Sequence, residues 1–108
     1  MASKNNCNFI GNVVKDCELK IIQNSGKSVC NFTVAVNEKY NGEDKTVWID
    51  CTAWDKLAET CAQYLKKGMQ VDVSGRIKLE EYNNSNGELK SKLSLTLREM
   101  IMLGKKEE

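Results

Sequence analysis

A chain of 108 residues is enough for one domain with one core, and 41% hydrophobic residues exclude a disordered sequence. The formal net charge of +1, with acidic and basic residues mixed along the chain, gives no whole-protein field for a polyanion; such a partner needs a local basic surface or uncharged contacts. No histidine is present and the five cysteines (Cys7, Cys17, Cys30, Cys51 and Cys61) show no CxxC spacing, so the familiar zinc sites and a Cys–His nucleophile lack their residues.

Met1 to Asn6 is a polar segment, expected to fray. Phe9 to Val14 begins a strand, with Gly11 as a bulge or tight bend, and Glu18 to Ile22 continues it as extended chain. Asn24-Ser25-Gly26-Lys27 is a turn. Val29 to Asn37 forms the next strand, with Cys30, Phe32, Val34 and Val36 inward. Asn41-Gly42-Glu43-Asp44 turns the chain into a third strand ending at Trp54. A helix follows, with Asp55 as its N-cap and a stripe of Leu57, Ala58, Cys61, Ala62 and Leu65. Lys66-Lys67 sit at its C-terminal end and Gly68 stops it. Two more strands alternate through Val71, Val73, Gly75, Ile77 and Leu79, then through Leu93, Leu95 and Leu97. The Asn-rich tip at residues 83–87 joins them. Three strands, a helix and two strands predict an all-β domain with one helix: an OB-fold, a five-stranded Greek-key barrel with the helix between strands three and four. Its expected span is 7–104, with a flexible end at 1–6 and a short C-terminal end at 105–108.

The most telling stretch is Val47 to Trp54. Val47, Ile49, Cys51 and Ala53 share one face, while Trp48, Asp50, Thr52 and Trp54 share the other. Both tryptophans of the chain therefore lie on the polar face. Tyr40 in the preceding hairpin and Tyr82 near the Asn-rich tip join them, and lysines 39, 45, 56, 78, 90 and 92 are interleaved. Aromatics with scattered lysines make a sequence-tolerant platform for single strands, because every base has a π-face and lysine meets phosphate without reading bases. For Trp54, packing beneath the helix competes with stacking. Only two arginines, Arg76 and Arg98, argue against readout of duplex sequence. Glu80 and Glu81 are adjacent on a strand and point to opposite faces, which leaves no shared carboxylate site for acid–base work. A binding protein with no cofactor and no metal is expected, not an enzyme. No signal peptide or membrane-length apolar run is visible, so a cytoplasmic location is expected.

Gly11-Asn12, Lys15 to Leu19, Asn31 to Val36, Trp48 to Trp54, Lys56 to Glu59, Tyr64 to Gly68 and Val73 to Ile77 together carry a family resemblance. From about Asn8 to Gly104 the chain closely resembles the bacterial-type single-stranded DNA-binding proteins, a family that phages also encode. The resemblance implies an OB-fold, assembled as a homotetramer or alternatively a dimer, that wraps single-stranded DNA during replication, recombination and repair. The family's base-stacking aromatics fall on Tyr40, Trp48, Trp54 and Tyr82, and phosphate contacts on Lys56, Arg76 and Lys78. Three departures accompany it. Glu80-Glu81 stand where the family is usually basic, which predicts weaker binding with a shallower salt dependence. Asn8 replaces the usual aliphatic residue on a strand that the family pairs across a dimer interface. The sequence stops at Lys105-Lys106-Glu107-Glu108, so the acidic tip that recruits replication and repair proteins is not expected. Two alternatives remain: an OB-fold accessory subunit of a primosome-like assembly, and a thiol-based redox or structural module using the five cysteines.

Overall fold

The computed structural model describes residues 2–105; what the sequence predicts for Met1 and for residues 106–108 lies outside them. The elements are β1 (Cys7–Val13), β2 (Glu18–Ile21), β3 (Ser28–Tyr40), β4 (Glu43–Trp54), α1 (Asp55–Tyr64), β5 (Met69–Asn83) and β6 (Leu89–Lys105). The sheet order is β1-β5-β6-β4-β3-β2, and an added β1–β3 pairing closes it into a barrel. The first predicted strand is split into β1 and β2. Taken as one, they give the five-stranded barrel with the helix between the third and fourth strands. β4 and β6 pair in parallel, Cys51 opposite Leu95, and the other ladders are antiparallel.

Gly11 is not a bulge. It pairs in register with Val71, and a side chain there would press on the Ala35 carbonyl oxygen and come within 2.7 Å of Val34 Cγ1. The missing Cβ lets β1 approach β3, where Asn12 and Val13 pair with Ala35 and Val34. The ladder irregularities fall instead in the β5–β6 pairing, at Gln70/Val71 and Ser74/Gly75. Inside, Phe32, Val34, Val71, Val73 and Leu95 pack with Cys30, Cys51 and Cys61. Phe9 is partly buried against this cluster.

The helix departs from its predicted ends. Trp54 is the N-cap and Asp55 is the first helical residue, with no side-chain cap bond and a left-handed φ of 54°. The helix ends at Tyr64, so Lys66 and Lys67 lie beyond it. Leu65 turns extended and its side chain is buried in the core. The Lys67 N–H then donates to Asp16 Oδ1 at 2.8 Å, and the Gly68 N–H to the Val13 carbonyl at 2.7 Å. Burial of Leu65 and these two bonds offset what another helical turn would have given.

Two hairpins run past the barrel as arms. The β3–β4 turn is only Asn41-Gly42, both at positive φ, as a two-residue hairpin of twist-matched type requires. Glu43 and Asp44 belong to β4 rather than to the turn. At the β5–β6 tip, Asn84 Oδ1 accepts from the N–H groups of Asn86 and Glu88. The core face therefore continues past the core. Val47, Leu79 and Leu93, which alternation assigns to the interior, are exposed on the arms.

The N-terminal segment is tied at one point. Asn5 exchanges two hydrogen bonds with the backbone of Ile77, at 2.8 and 2.9 Å. Among the described residues no helix is long and apolar enough to cross a membrane.

Candidate nucleic-acid interface

The outward face of the β3–β4 pair is built by register. Val29 is opposite Trp54, Asn31 opposite Thr52, Thr33 opposite Asp50, Ala35 opposite Trp48 and Asn37 opposite Thr46. The three polar pairs are stapled by hydroxyl bonds. Thr33 donates to Asp50 Oδ1 at 3.1 Å, Thr46 to Asn37 Oδ1 at 2.7 Å and Thr52 to Asn31 Oδ1 at 3.0 Å. Trp48 stands between two of these rungs and Trp54 beyond the last, opposite Ala35 and Val29, which are too small to cover the rings. Trp48 is 63% exposed and Trp54 is 41% exposed. Five residues of strand lie between them, six steps of about 3.3 Å or about 20 Å.

Trp54 is half-buried at the helix start, yet it lines an open groove of about 430 Å³ with Ile22, Ser25, Lys27, Arg76 and Thr96. Packing and access thus coexist at this ring. The groove joins an aromatic surface to the cations of Lys27 and Arg76, so one nucleotide could find both a stacking partner and a phosphate partner there. Lys27 and Thr96 escaped the sequence reading. Thr96 was legible in principle, because it alternates with buried Leu95 and Leu97. Lys27 was not, since only the fold brings the β2–β3 turn over β4 and β6.

Tyr82 is 48% exposed on the same β5 face as Arg76 and Lys78, near the arm tip. Tyr40 is 65% exposed, but register puts it on the other face of its arm, on the side of Val36, Glu38, Lys45 and Val47. The Lys45 ammonium lies 5.9 Å from its ring centre. The predicted four-aromatic face therefore divides: Trp48, Trp54 and Tyr82 share the outward surface, and Tyr40 is reached around its arm. Lys56 is exposed in the first turn of α1, outside both the groove and the ladder.

Glu80 and Glu81 separate as alternation requires. Glu81 lies opposite Ser91, on the far face of its arm, and Glu80 lies opposite Lys92, on the aromatic side. Glu80 Oε1 accepts the Ser94 hydroxyl at 2.9 Å, and Lys92 Nζ is 4.0 Å from Asp50 Oδ2. Only one of the two carboxylates lies on the aromatic side, and a lysine faces it.

Cys30, Cys51 and Cys61 are buried in the core, and Cys7 and Cys17 pack partly buried against it. Burial pushes the Cys51 and Cys61 thiols up from about 9.0 to about 12, and raises Cys17 and Cys30 as well. A reactive cysteine needs the opposite shift, so these four thiols lend the thiol-module alternative no support. A thiol reagent is expected to leave Cys30, Cys51 and Cys61 unmodified in the native protein and to label them on unfolding. Because the folded-state values are raised, the stability these thiols contribute is full below about pH 9 and is lost as pH rises toward about 12. Urea midpoints measured across that range should fall; a flat profile would contradict the burial.

The surface and topology have close counterparts. The family model described as "Single-strand binding protein family" matches residues 4–103. The chain belongs to that family. A single-stranded DNA-binding protein 1 of Clostridium acetobutylicum is 38% identical over 103 residues, covering 93% of this chain and 94% of the relative. The single-stranded DNA-binding protein of Neisseria meningitidis serogroup B is 37% identical over 111 residues, covering 98% of this chain and 63% of the relative. The chain thus spans nearly all of one single-strand binding relative and under two thirds of the other. Among solved structures, the Plasmodium falciparum single-strand binding protein, in complex with single-stranded DNA, superposes with a TM-score of 0.86 at 27% identity. The match covers 95% of this chain and 97% of that one.

Proposed function

We propose that this chain binds and protects single-stranded DNA without sequence preference of the duplex-reading kind, by stacking bases on Trp48, Trp54 and Tyr82 while Arg76, Lys78 and Lys27 meet phosphates. The observation that carries it is the outward ladder face, with two uncovered tryptophans and a cationic groove at one of them. Family membership and the likeness to a protein solved with single-stranded DNA support it. Tyr40 and Lys56 join where the strand passes around the β3–β4 arm and the helix start. Its setting is replication, recombination and repair in a bacterial cytoplasm or nucleoid, a phage-infected cell included. It acts as a binding protein, not as an enzyme.

Adding an unstructured thymidine oligonucleotide at low salt is expected to quench tryptophan fluorescence with saturation. No quenching at low salt would overturn the proposal. The Arg76→Ala variant should bind more weakly, with a log–log salt slope reduced by about 1. An unchanged slope would remove Arg76 from the phosphate path.

Self-association into a homotetramer, or a dimer, belongs to the same proposal. Among the described residues, β1 is laddered to β5 along its length but to β3 only at Asn12 and Val13, which leaves the Cys7–Gly11 edge open. Ile10 and Ile101 stand exposed on either side of Asp72 across the neighbouring face. Asn8, at the position where an aliphatic residue is usual, turns its amide onto Asp72 Oδ1 at 2.6 Å and the Val73 carbonyl at 3.1 Å. The donors of its amide nitrogen are thus satisfied within the chain. Native mass of the protein alone and with oligonucleotides of increasing length gives the assembly and its footprint.

A further inference from the structure

Asn5 lies in the polar segment expected to fray, yet its side chain bonds to a residue 72 positions away in the chain. Its Nδ2 donates to the Ile77 carbonyl at 2.8 Å, and the Ile77 N–H donates to its Oδ1 at 2.9 Å. Among the described residues the β1–β5 ladder ends at Cys7 opposite Gly75, and two further steps of that register set Asn5 opposite Ile77. The amide therefore stands in for a strand residue. One side chain supplies the donor and the acceptor that a ladder partner would supply from its backbone.

The place of this tie matters. Ile77 sits between Arg76 and Lys78, and its side chain packs against the core, opposite Leu95. Alternation then turns Arg76 and Lys78 outward. From Lys78 to Asn83, β5 is the arm that carries Tyr82, laddered to β6. The β4 pairing at Ser94 to Thr96 fixes the arm root on the β6 side, and among the described residues Asn5 is the last tie on the β1 side. Tyr82 lies five residues beyond Ile77, about 16 Å of strand, so a tilt of about 10° at the root carries its ring about 3 Å. An untied arm samples several such tilts, and binding must then order it. A tied arm is ordered before the strand arrives.

Resting on the proposed function, we propose that Asn5 is a positioning residue for single-strand binding. It holds the root of the β5–β6 arm, so that Lys78 and Tyr82 stay aligned with the Trp54 groove. It acts through the Ile77 backbone and not by contact with the strand.

Asn5→Ala removes both bonds, and because they are exposed the variant is expected to fold. Its Ile77 amide hydrogen should exchange faster with deuterium, while the Val73 amide, opposite Phe9 in the β1–β5 ladder, keeps its rate. Binding of a thymidine oligonucleotide of about 15 nucleotides should weaken about three- to tenfold, within the range of about five- to 150-fold that one stacked base contributes. Two double variants decide whether the loss runs through the arm. In a Tyr82→Ala background the Asn5→Ala loss should shrink by roughly half or more on a logarithmic scale, because the ring it aligns is gone. In a Trp48→Ala background, on β4, it should persist in full. General loosening of the fold, or a change of assembly, moves both backgrounds alike. Unchanged Ile77 exchange, unchanged binding by Asn5→Ala, or equal losses in the two backgrounds removes the positioning role and leaves the proposed function intact. If the parent chain binds no oligonucleotide, both fall together.

Discussion

Replacing Gly75 with alanine is expected to destabilise the protein by about 3 kcal/mol, the upper end of overpacking costs. For a domain of this size that is a drop in melting temperature of roughly 12–24 °C. Gly75 sits in β5 at a shift of the β5–β6 register, opposite Leu97. A Cβ there would press directly on the Thr96 carbonyl oxygen and lie 2.8 Å from the Thr96 carbonyl carbon and 3.0 Å from Leu97 Cα. These are backbone atoms, so no side chain can swing away, and β6 itself would have to move. β6 carries Leu95 and Leu97 into the core and ladders with β4, so its movement loosens the barrel seam. Gly26→Ala is the natural comparison. Gly26 has a φ of 72° but nothing within 4 Å of its added Cβ, so only backbone strain of about 1 kcal/mol is expected. Thermal and urea unfolding of the two variants measure both quantities. A Gly75→Ala protein as stable as Gly26→Ala would mean that the two strands are not so close.

Trp48→Ala should weaken binding to a thymidine oligonucleotide by roughly 1–3 kcal/mol, about five- to 150-fold in affinity. The same substitution should leave the melting temperature within about 2–4 °C of the parent, because an exposed side chain contributes little to the fold. Trp54→Ala should cost a comparable amount of affinity through the groove it shares with Arg76 and Lys27. With about 20 Å of strand between them, the two rings meet different bases, and their losses should add in the double variant. A large fall in stability with unchanged affinity would instead make Trp48 a structural residue. Tyr40→Ala separates the two arm faces. If the bound strand stays on the outward surface and never rounds the β3–β4 arm, its loss will be small.

Alternation along Val47 to Trp54 was enough to place both tryptophans on the polar face, because period two is a property of the extended backbone itself. The same rule failed at Val47, Leu79 and Leu93. Alternation tells which residues share a face, not how far along the strand the barrel continues. Tyr40 was misplaced because β3 runs on past the predicted end at Asn37, and the parity of Cys30 to Val36 then carries Tyr40 to the other face. The helix stripe was legible at Ala58 and Cys61. Its ends were not, because Leu65 leaves the helical path to enter the core and Asp16 takes the Lys67 N–H from across the chain.

The sequence by itself determined the element order, the helix between the third and fourth strands, and the separation of small inward residues from outward tryptophans. Each of these follows from local periodicity and turn chemistry. Tertiary structure alone decided the rest: that Gly11 is the point where β1 closes onto β3, that Trp54 borders a groove with Arg76 and Lys27, and that Asp50, Glu80, Lys92 and Lys15 line one neutral slot. These residues come from four strands and two connecting segments. Only barrel closure sets the distances between them, and no local rule contains that closure.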